Sequence, residues 1–138
     1  MENKKMIYIG VPYTHPDKKV MEDRYRLVSG ITAHLVKRGF IVFSPITYGH
    51  TLCEFEDMPR DFGFWNELCL SFLSTSDLLV CVKSLGWEES RGLDAEMEFA
   101  SENVIPILDI ELEDGEFNIT ELENNLEFFE EFGVLPAP

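Results

Sequence analysis

One acidic side chain lies on the apolar side of a predicted helix. The helix belongs to the stretch GWEESRGLDAEMEFA at residues 86–100. At ~100° per residue, its apolar arc consists of Leu93, Met97, Phe99 and Ala100. Glu96 falls inside this arc, whereas the opposite arc consists of Asp94, Glu98, Ser101 and Glu102. A buried charge is costly unless it is paired. Glu96 is therefore either satisfied by a salt bridge or backbone hydrogen bond, or a nucleophile or acid–base group in a pocket.

The predicted elements that position this glutamate are strands and helices that alternate along the chain. Short apolar runs predict four strands, at residues 6–11, 40–44, 77–82 and 104–108. Apolar residues at helical spacing predict helices between these strands. The first follows a capping-box pattern of Thr14 and Asp17, and the second follows Asp61. A last helix is predicted after the fourth strand, at residues 120–132. This alternation indicates an α/β fold with a flavodoxin-like parallel sheet of four to five strands and helices on both faces. The candidate fifth strand lies at residues 109–112.

Ligands bind at the carboxyl ends of the strands in such sheets. Those ends carry the segments GVPYTHP, SPITYGH and KSLGWEES, which are rich in glycine, proline, aromatic and hydroxyl residues. A long loop is predicted at residues 45–60, and long loops in small domains are often functional. The helix that holds Glu96 begins at the same edge, so we expect the site there.

Composition narrows the function classes. The 138 residues predict one domain, 1–138, with an acidic helical C-terminal segment from about residue 113. The net charge of −15 argues against a nucleic-acid polymer or an anionic membrane as partner. The acidic segment is either a solvated face or a recognition surface for a basic partner.

The remaining composition predicts a cytoplasmic protein without a cofactor. The apolar run near the N-terminus is too short for a signal peptide or a membrane helix. Cys69 and Cys81 lie in apolar runs and are expected to be reduced core residues. The sequence has no Walker motif and no G-x-G-x-x-G, and its histidines have no companion ligands, so we expect neither nucleotide cofactor nor metal.

Five segments in order resemble the nucleoside 2-deoxyribosyltransferase-like superfamily. They are MIYIGVPY, GFIVFSPI, SDLLVCV, GWEESRGLDAEMEFA and VIPI, within residues 6–108. The resemblance implies a flavodoxin-like fold and cleavage of the N-glycosidic bond of a nucleoside or nucleotide. It also implies a homo-oligomer, since relatives complete their pockets with residues of a neighbouring subunit.

The resemblance implies roles for three residues. Glu96 matches the catalytic glutamate, in the spacing Gly92, Glu96, Ala100. Tyr8 matches the tyrosine that orients this glutamate, and Asp77 matches an aspartate that acts on the leaving base. Asp77 could instead cap the turn before its strand. Cleavage of a C1′–N bond generates an oxocarbenium-like sugar, which a carboxylate can trap covalently.

Ser90 departs from the deoxyribosyltransferase pattern. Those enzymes carry an aspartate six residues before the glutamate, where it binds the 5′-hydroxyl. A serine there resembles the 2′-deoxynucleoside 5′-phosphate N-hydrolases, in which it contacts the phosphate. Ser90 could also cap the helix, whose N-terminus favours an anion. Arg24 or Arg26 could supply the countercharge, although solvated surface arginines are the other interpretation.

Weaker candidates complete the predicted site. Tyr48 and Trp87 could stack on a base or pack in the core, and His50 could bind a ligand from its loop. The remaining substrate-binding candidates are Gly10, Pro12 and Gly92. Two other functions stay open: a nucleotide-binding module without catalysis, and an interaction protein that works through its acidic segment.

Overall fold

Four parallel strands form one sheet in the computed structural model, which describes residues 4–112, 116 and 118–137. The strands are β1 (Met6–Gly10), β2 (Ile41–Phe43), β3 (Leu78–Lys83) and β4 (Ile107–Glu111). The helices are α1 (Lys18–Lys37), α2 (Pro45–Leu52), α3 (Phe62–Leu73), α4 (Arg91–Glu102) and α5 (Ile119–Phe132). The strand order is β2-β1-β3-β4, with every pair parallel. The prediction of a flavodoxin-like α/β fold is thus confirmed.

Each face of the sheet has its own apolar core. One core joins Ile7, Ile9 and Val80 of the strands to side chains of α1 and α5. The other joins Tyr8 and Leu79 to side chains of α3 and α4. Because successive side chains of a strand point to opposite faces, Tyr8 lies on the α3–α4 face while its neighbours lie on the other.

The predicted loop at residues 45–60 contains a helix. Ser44 follows β2 and caps α2, since its Oγ accepts a hydrogen bond from the Thr47 N–H at 3.1 Å. Pro45 occupies the first helical position, where its missing N–H costs nothing. The prediction was wrong because the proline signal of a loop is also the signal of a helix start. The rest of the segment connects α2 to α3, which begins after the predicted cap Asp61.

Two further boundaries differ from the prediction. Asp17 caps α1 by itself, while the Thr14 hydroxyl donates to the Arg60 carbonyl, so no capping box forms. The fourth strand starts at Ile107 rather than at residue 104, because Val104 is exposed and has a φ of 58°. Residues 109–111 of the candidate fifth strand belong to β4.

The C-terminal helix is confirmed as α5, and its buried side chains pack against the α1 side of the sheet. The predicted start of the acidic segment near residue 113 lies outside the described residues. No helix in the described ranges combines the length and apolar character needed to cross a bilayer. The three cysteines are free thiols.

Candidate active site

Glu96 and Tyr8 form a buried polar pair between α4 and β1. Their sequence positions place both on the same side of the sheet, Tyr8 by strand alternation and Glu96 by its helical arc. The Tyr8 hydroxyl donates a hydrogen bond to Glu96 Oε2, and only 6% of Glu96 is exposed. Among the described residues Glu96 forms no salt bridge, so the salt-bridge interpretation is not supported. The carboxyl group is instead held by a neutral phenol.

Gly10 leaves the space that the Glu96 carboxylate occupies. It lies two residues after Tyr8 on β1, and therefore on the same face. A Cβ atom at Gly10 would lie 2.9 Å from Glu96 Oε1 and 3.1 Å from Leu93 Cδ1. The first distance is shorter than real Cβ contacts, and the second is tighter than most of them, so the Glu96 carboxylate would have to move. The absence of a side chain at Gly10 thus lets α4 bring its carboxylate onto the strand.

Burial changes the protonation of this pair. Removal from water raises the pKa of Glu96 to about 7, although the hydrogen bond from Tyr8 acts in the opposite direction. The pKa of Tyr8 is raised well above its usual value, first by burial and then by the Glu96 charge. Tyr8 is therefore a hydrogen-bond donor, and Glu96 changes charge near neutral pH.

A cavity of about 270 Å³ opens over Glu96 at the carboxyl edge of the sheet. Glu96, Ser90 and Gly92 of the α4 segment line it, together with His50 of α2. Ser90 caps α4, since its Oγ accepts from the Leu93 N–H at 3.1 Å. Its hydroxyl proton stays available to a ligand, so the capping and binding interpretations of Ser90 are compatible.

Two arginines that sequence analysis did not single out line the cavity. Arg60 lies just before the α3 cap, and its Nη1 donates to the Tyr13 hydroxyl at 3.4 Å. Arg91 is the first residue of α4, and its guanidinium lies over the Phe62 ring at 5.0 Å. Their positions directly beside two helix N-caps were a usable signal, because such ends favour anions.

The aromatic surfaces of the cavity are not the predicted ones. Phe62 and Trp65 of α3 line it. Tyr48 is instead packed against Phe43 and Phe72, outside the cavity. Trp87 packs into the α3–α4 core, under the Lys83 ammonium at 4.5 Å from its ring centroid. Neither Tyr48 nor Trp87 lines the described cavity and both pack against other side chains, so base stacking by either residue stays a prediction.

Three other predicted site residues lie away from the cavity walls. Asp77 precedes β3 at the amino edge of the sheet, where its carboxylate accepts from the Met6 N–H at 2.7 Å. Arg24 donates to the carbonyl oxygens of Tyr13 and Leu85, and so ties together two loops. Pro12 is buried, but the cavity is lined by its neighbours. In this structure Asp77 and Arg24 make contacts that stabilise the fold, and neither lines the cavity, so their predicted roles on a ligand stay predictions.

Other groups around the cavity matter for its chemistry. Cys69 of α3 lines it beside Tyr8, and burial together with the Glu96 charge raises the pKa of this thiol to about 11. Cys69 is thus an uncharged neighbour at neutral pH. No cluster of three or more histidine, cysteine or acidic side chains suited to a metal occurs in the described part of the chain.

Comparison with known proteins identifies the family. The sequence profile of a domain of unknown function, DUF1937, matches residues 5–111, which is most of the chain. The chain belongs to the DUF1937 family. The DUF1937 match contains all the residues of the Glu96 site and excludes α5. A comparison with curated proteins found no match.

Gly10 offers a steric test of this site in a DUF1937 domain. Gly10→Ala is expected to displace the Glu96 carboxylate and to lower any activity that uses it by ~10²-fold or more, as misplacement of a reacting group by about 1 Å does. The matched control is Gly30→Ala in α1, where nothing lies within 4 Å of the new Cβ. This control should stabilise the fold by up to ~1 kcal/mol and leave activity unchanged. Equal activity of the two variants would contradict the packing argument.

The raised pKa of Glu96 predicts how the stability of the DUF1937 domain depends on pH. Its value moves from 4.5 to about 7 on folding, so the folded state favours the protonated form. This contribution is complete below about pH 4.5 and is lost as the pH rises through about 7. At ~1.4 kcal/mol per pKa unit, the loss is about 3 kcal/mol. The Glu96→Gln variant lacks this contribution. In denaturant unfolding from pH 5 to 9, its free energy of unfolding relative to that of the wild type should therefore increase as the pH rises. A pH-independent difference would contradict the buried-carboxyl account.

Proposed function

We propose that the protein cleaves the N-glycosidic bond of a nucleoside or nucleoside 5′-monophosphate, with Glu96 as the nucleophile. The observation that carries this proposal is the Tyr8–Glu96 pair, buried behind a cavity that holds several polar groups. A carboxyl group without a cationic partner in an apolar wall is costly for folding, and such a cost is typical of active sites. The resemblance to nucleoside 2-deoxyribosyltransferase-like enzymes is the second support.

The geometry suits trapping of a sugar cation. As the C1′–N bond breaks, positive charge develops on the sugar, and the Glu96 carboxylate attacks C1′ to form a glycosyl ester. The surrounding apolar side chains strengthen the attraction between carboxylate and cation. The hydrogen bond from Tyr8 holds one carboxylate oxygen in a single orientation. Only the ionised form attacks, so the rate should rise with pH through about 7.

The rim of the cavity supports a 5′-phosphate on the ligand. Ser90 and the first turn of α4 offer a hydroxyl and free backbone N–H groups, and Arg91 adds a positive charge at the same helix end. Arg60 lines the cavity from the α3 side. Six residues of helix between Ser90 and Glu96 span ~9 Å, which an inclined nucleotide can bridge.

The decisive experiment measures release of free base by chromatography. The panel contains the common 2′-deoxynucleosides and ribonucleosides, each with and without a 5′-phosphate. Base release by wild type but not by Glu96→Gln supports the proposal. Binding by calorimetry without any base release supports the alternative, a non-catalytic nucleotide-binding module, which the displacement of Asp77 from the cavity favours.

The proposal includes a homo-oligomer, as the resemblance implies. Light scattering at micromolar concentration should give a mass above the 15.9 kDa of one chain. A monomer at that concentration would count against it.

A further inference from the structure

A second polar cluster lies in the same cavity and takes no part in holding Glu96. His50 is only 6% exposed and lines the cavity together with Tyr13. Its Nδ1 lies 2.7 Å from the Tyr13 hydroxyl oxygen, and its Nε2 lies 3.1 Å from Glu22 Oε2. The Tyr25 ring stacks on the imidazole at 3.8 Å between centroids. Two segments, α1 and the loop after β1, thus hold the imidazole of α2 in a fixed orientation between a carboxylate and a phenol.

The Glu22–His50–Tyr13 chain has two consistent proton arrangements. Because the Glu22 carboxylate lies 3.1 Å from Nε2, it favours a proton on that nitrogen, and a neutral His50 then has a free lone pair at Nδ1, which accepts from the Tyr13 hydroxyl. A protonated His50 instead donates Nδ1–H to the Tyr13 oxygen, which frees the Tyr13 proton for the cavity. The same atomic positions serve both arrangements, so a proton can pass along the chain without movement of the side chains.

We propose that Glu22, His50 and Tyr13 form a proton relay, with Tyr13 as the catalytic residue that protonates the departing base and then deprotonates the incoming acceptor. The inference rests on the proposed glycosidic cleavage at Glu96. It assigns the acid–base function to groups beside the cavity, whereas Asp77 lies at the opposite edge of the sheet.

The proton and electron balance of the two steps closes. In the first step Glu96 forms a bond to C1′, and the electron pair of the C1′–N bond goes to the base nitrogen. That nitrogen takes the Tyr13 proton, while the Nδ1 proton of His50 moves to the Tyr13 oxygen. In the second step a water oxygen attacks C1′ and releases Glu96. The water proton goes to Tyr13, whose own proton returns to His50 Nδ1.

The charges around the relay fit this cycle. Glu22 Oε2 and Glu54 Oε1 lie 3.1 and 3.9 Å from His50 Nε2, so two carboxylates flank this side of the imidazole. Arg26 binds the other Glu22 oxygen at 3.2 Å, which fixes the carboxylate. Arg60 donates to the Tyr13 oxygen at 3.4 Å. Burial raises the pKa of Tyr13 although Arg60 acts in the opposite direction, so Tyr13 stays protonated between the steps.

Tyr13→Phe and His50→Asn test the relay, with His34→Asn as the control. His34 of α1 also pairs with a glutamate, Glu123, but it does not line the cavity. Tyr13→Phe should lower kcat/KM by ~10²–10⁴-fold for the nucleoside or monophosphate that the wild type cleaves in the base-release panel. A general acid must be protonated, so the wild-type rate should fall at alkaline pH and Tyr13→Phe should lack this fall. His50→Asn should give the same profile, whereas His34→Asn should match wild type.

A change of leaving group distinguishes a role of Tyr13 as a general acid from a purely structural role. A p-nitrophenyl glycoside of the substrate sugar needs no protonation to depart. With it, Tyr13→Phe should keep the first step within about tenfold of wild type. It should then show a burst of one nitrophenolate per enzyme and a slow second phase, because no base activates water.

Two outcomes overturn the relay while leaving the glycosidase proposal in place. One is unchanged activity and pH profile in both Tyr13→Phe and His50→Asn. The other is equal impairment of Tyr13→Phe on the nucleoside and on the p-nitrophenyl glycoside, which a packing defect gives. Absence of base release by wild type is a distinct result, which removes the glycosidase proposal and the relay together.

Discussion

Glu96→Gln is expected to lower kcat for base release by at least ~10²-fold while the protein stays folded. The amide has nearly the same shape as the carboxyl group and still accepts the Tyr8 hydrogen bond, but it is a poor nucleophile. The measurement is single-turnover base release at pH 8, where wild-type Glu96 is mostly ionised. The matched control is Glu98→Gln, two residues along α4 on its exposed side, which should retain wild-type activity.

The opposite pattern would give Glu96 a structural role. If Glu96 only stabilises the fold, Glu96→Gln should lower the melting temperature and leave activity mostly intact. Measurement of the melting temperature and the rate on one sample distinguishes the two cases. A loss of activity with equal or greater stability at pH 8 is the result that the buried carboxyl predicts.

Ser90→Asp is expected to weaken binding of a nucleoside 5′-monophosphate by ~10²-fold and of the matched nucleoside far less. Aspartate caps a helix as well as serine does, so α4 should keep its N-terminus. The added carboxylate would however face the phosphate. Calorimetric titration of both ligands measures the difference, and Ser101→Asp, at the exposed far end of α4, controls for the added charge.

The wild type alone also tests the phosphate assignment. Equal affinity for nucleoside and monophosphate would contradict it and would return the chain to the deoxyribosyltransferase interpretation. A Ser90→Asp variant that weakens both ligands alike would indicate a damaged helix end rather than charge repulsion.

The central pair was predictable because it depends on two local periodicities. Strand alternation put Tyr8 on one face, and the helical projection put Glu96 on the apolar side of α4. Both are consequences of backbone geometry over a few residues. The parallel sheet was predictable for a similar reason, since alternation of strands and helices restricts the connections.

The walls of the cavity were not predictable because they depend on packing between distant segments. Arg60 and Trp65 reach it through the path of the chain after α2, a helix that the proline-rich sequence concealed. The contact of Tyr13 with His50 joins residues 37 positions apart, which no local pattern encodes. The placement of Asp77 is different, because a residue just before a parallel strand lies at the amino edge. The sequence alone already argued against its role beside Glu96.

Peptide mass spectrometry of a trapped intermediate tests the nucleophile most directly. The probe is a 2′-deoxy-2′-fluoro analogue of the nucleoside found in the panel, because the fluorine slows release of a glycosyl ester. The account predicts that wild type releases one base per chain and that the peptide containing Glu96 gains the mass of the fluorosugar. Glu96→Gln should show neither. Base release without an adduct on Glu96, or equal release by Glu96→Gln, would contradict the account.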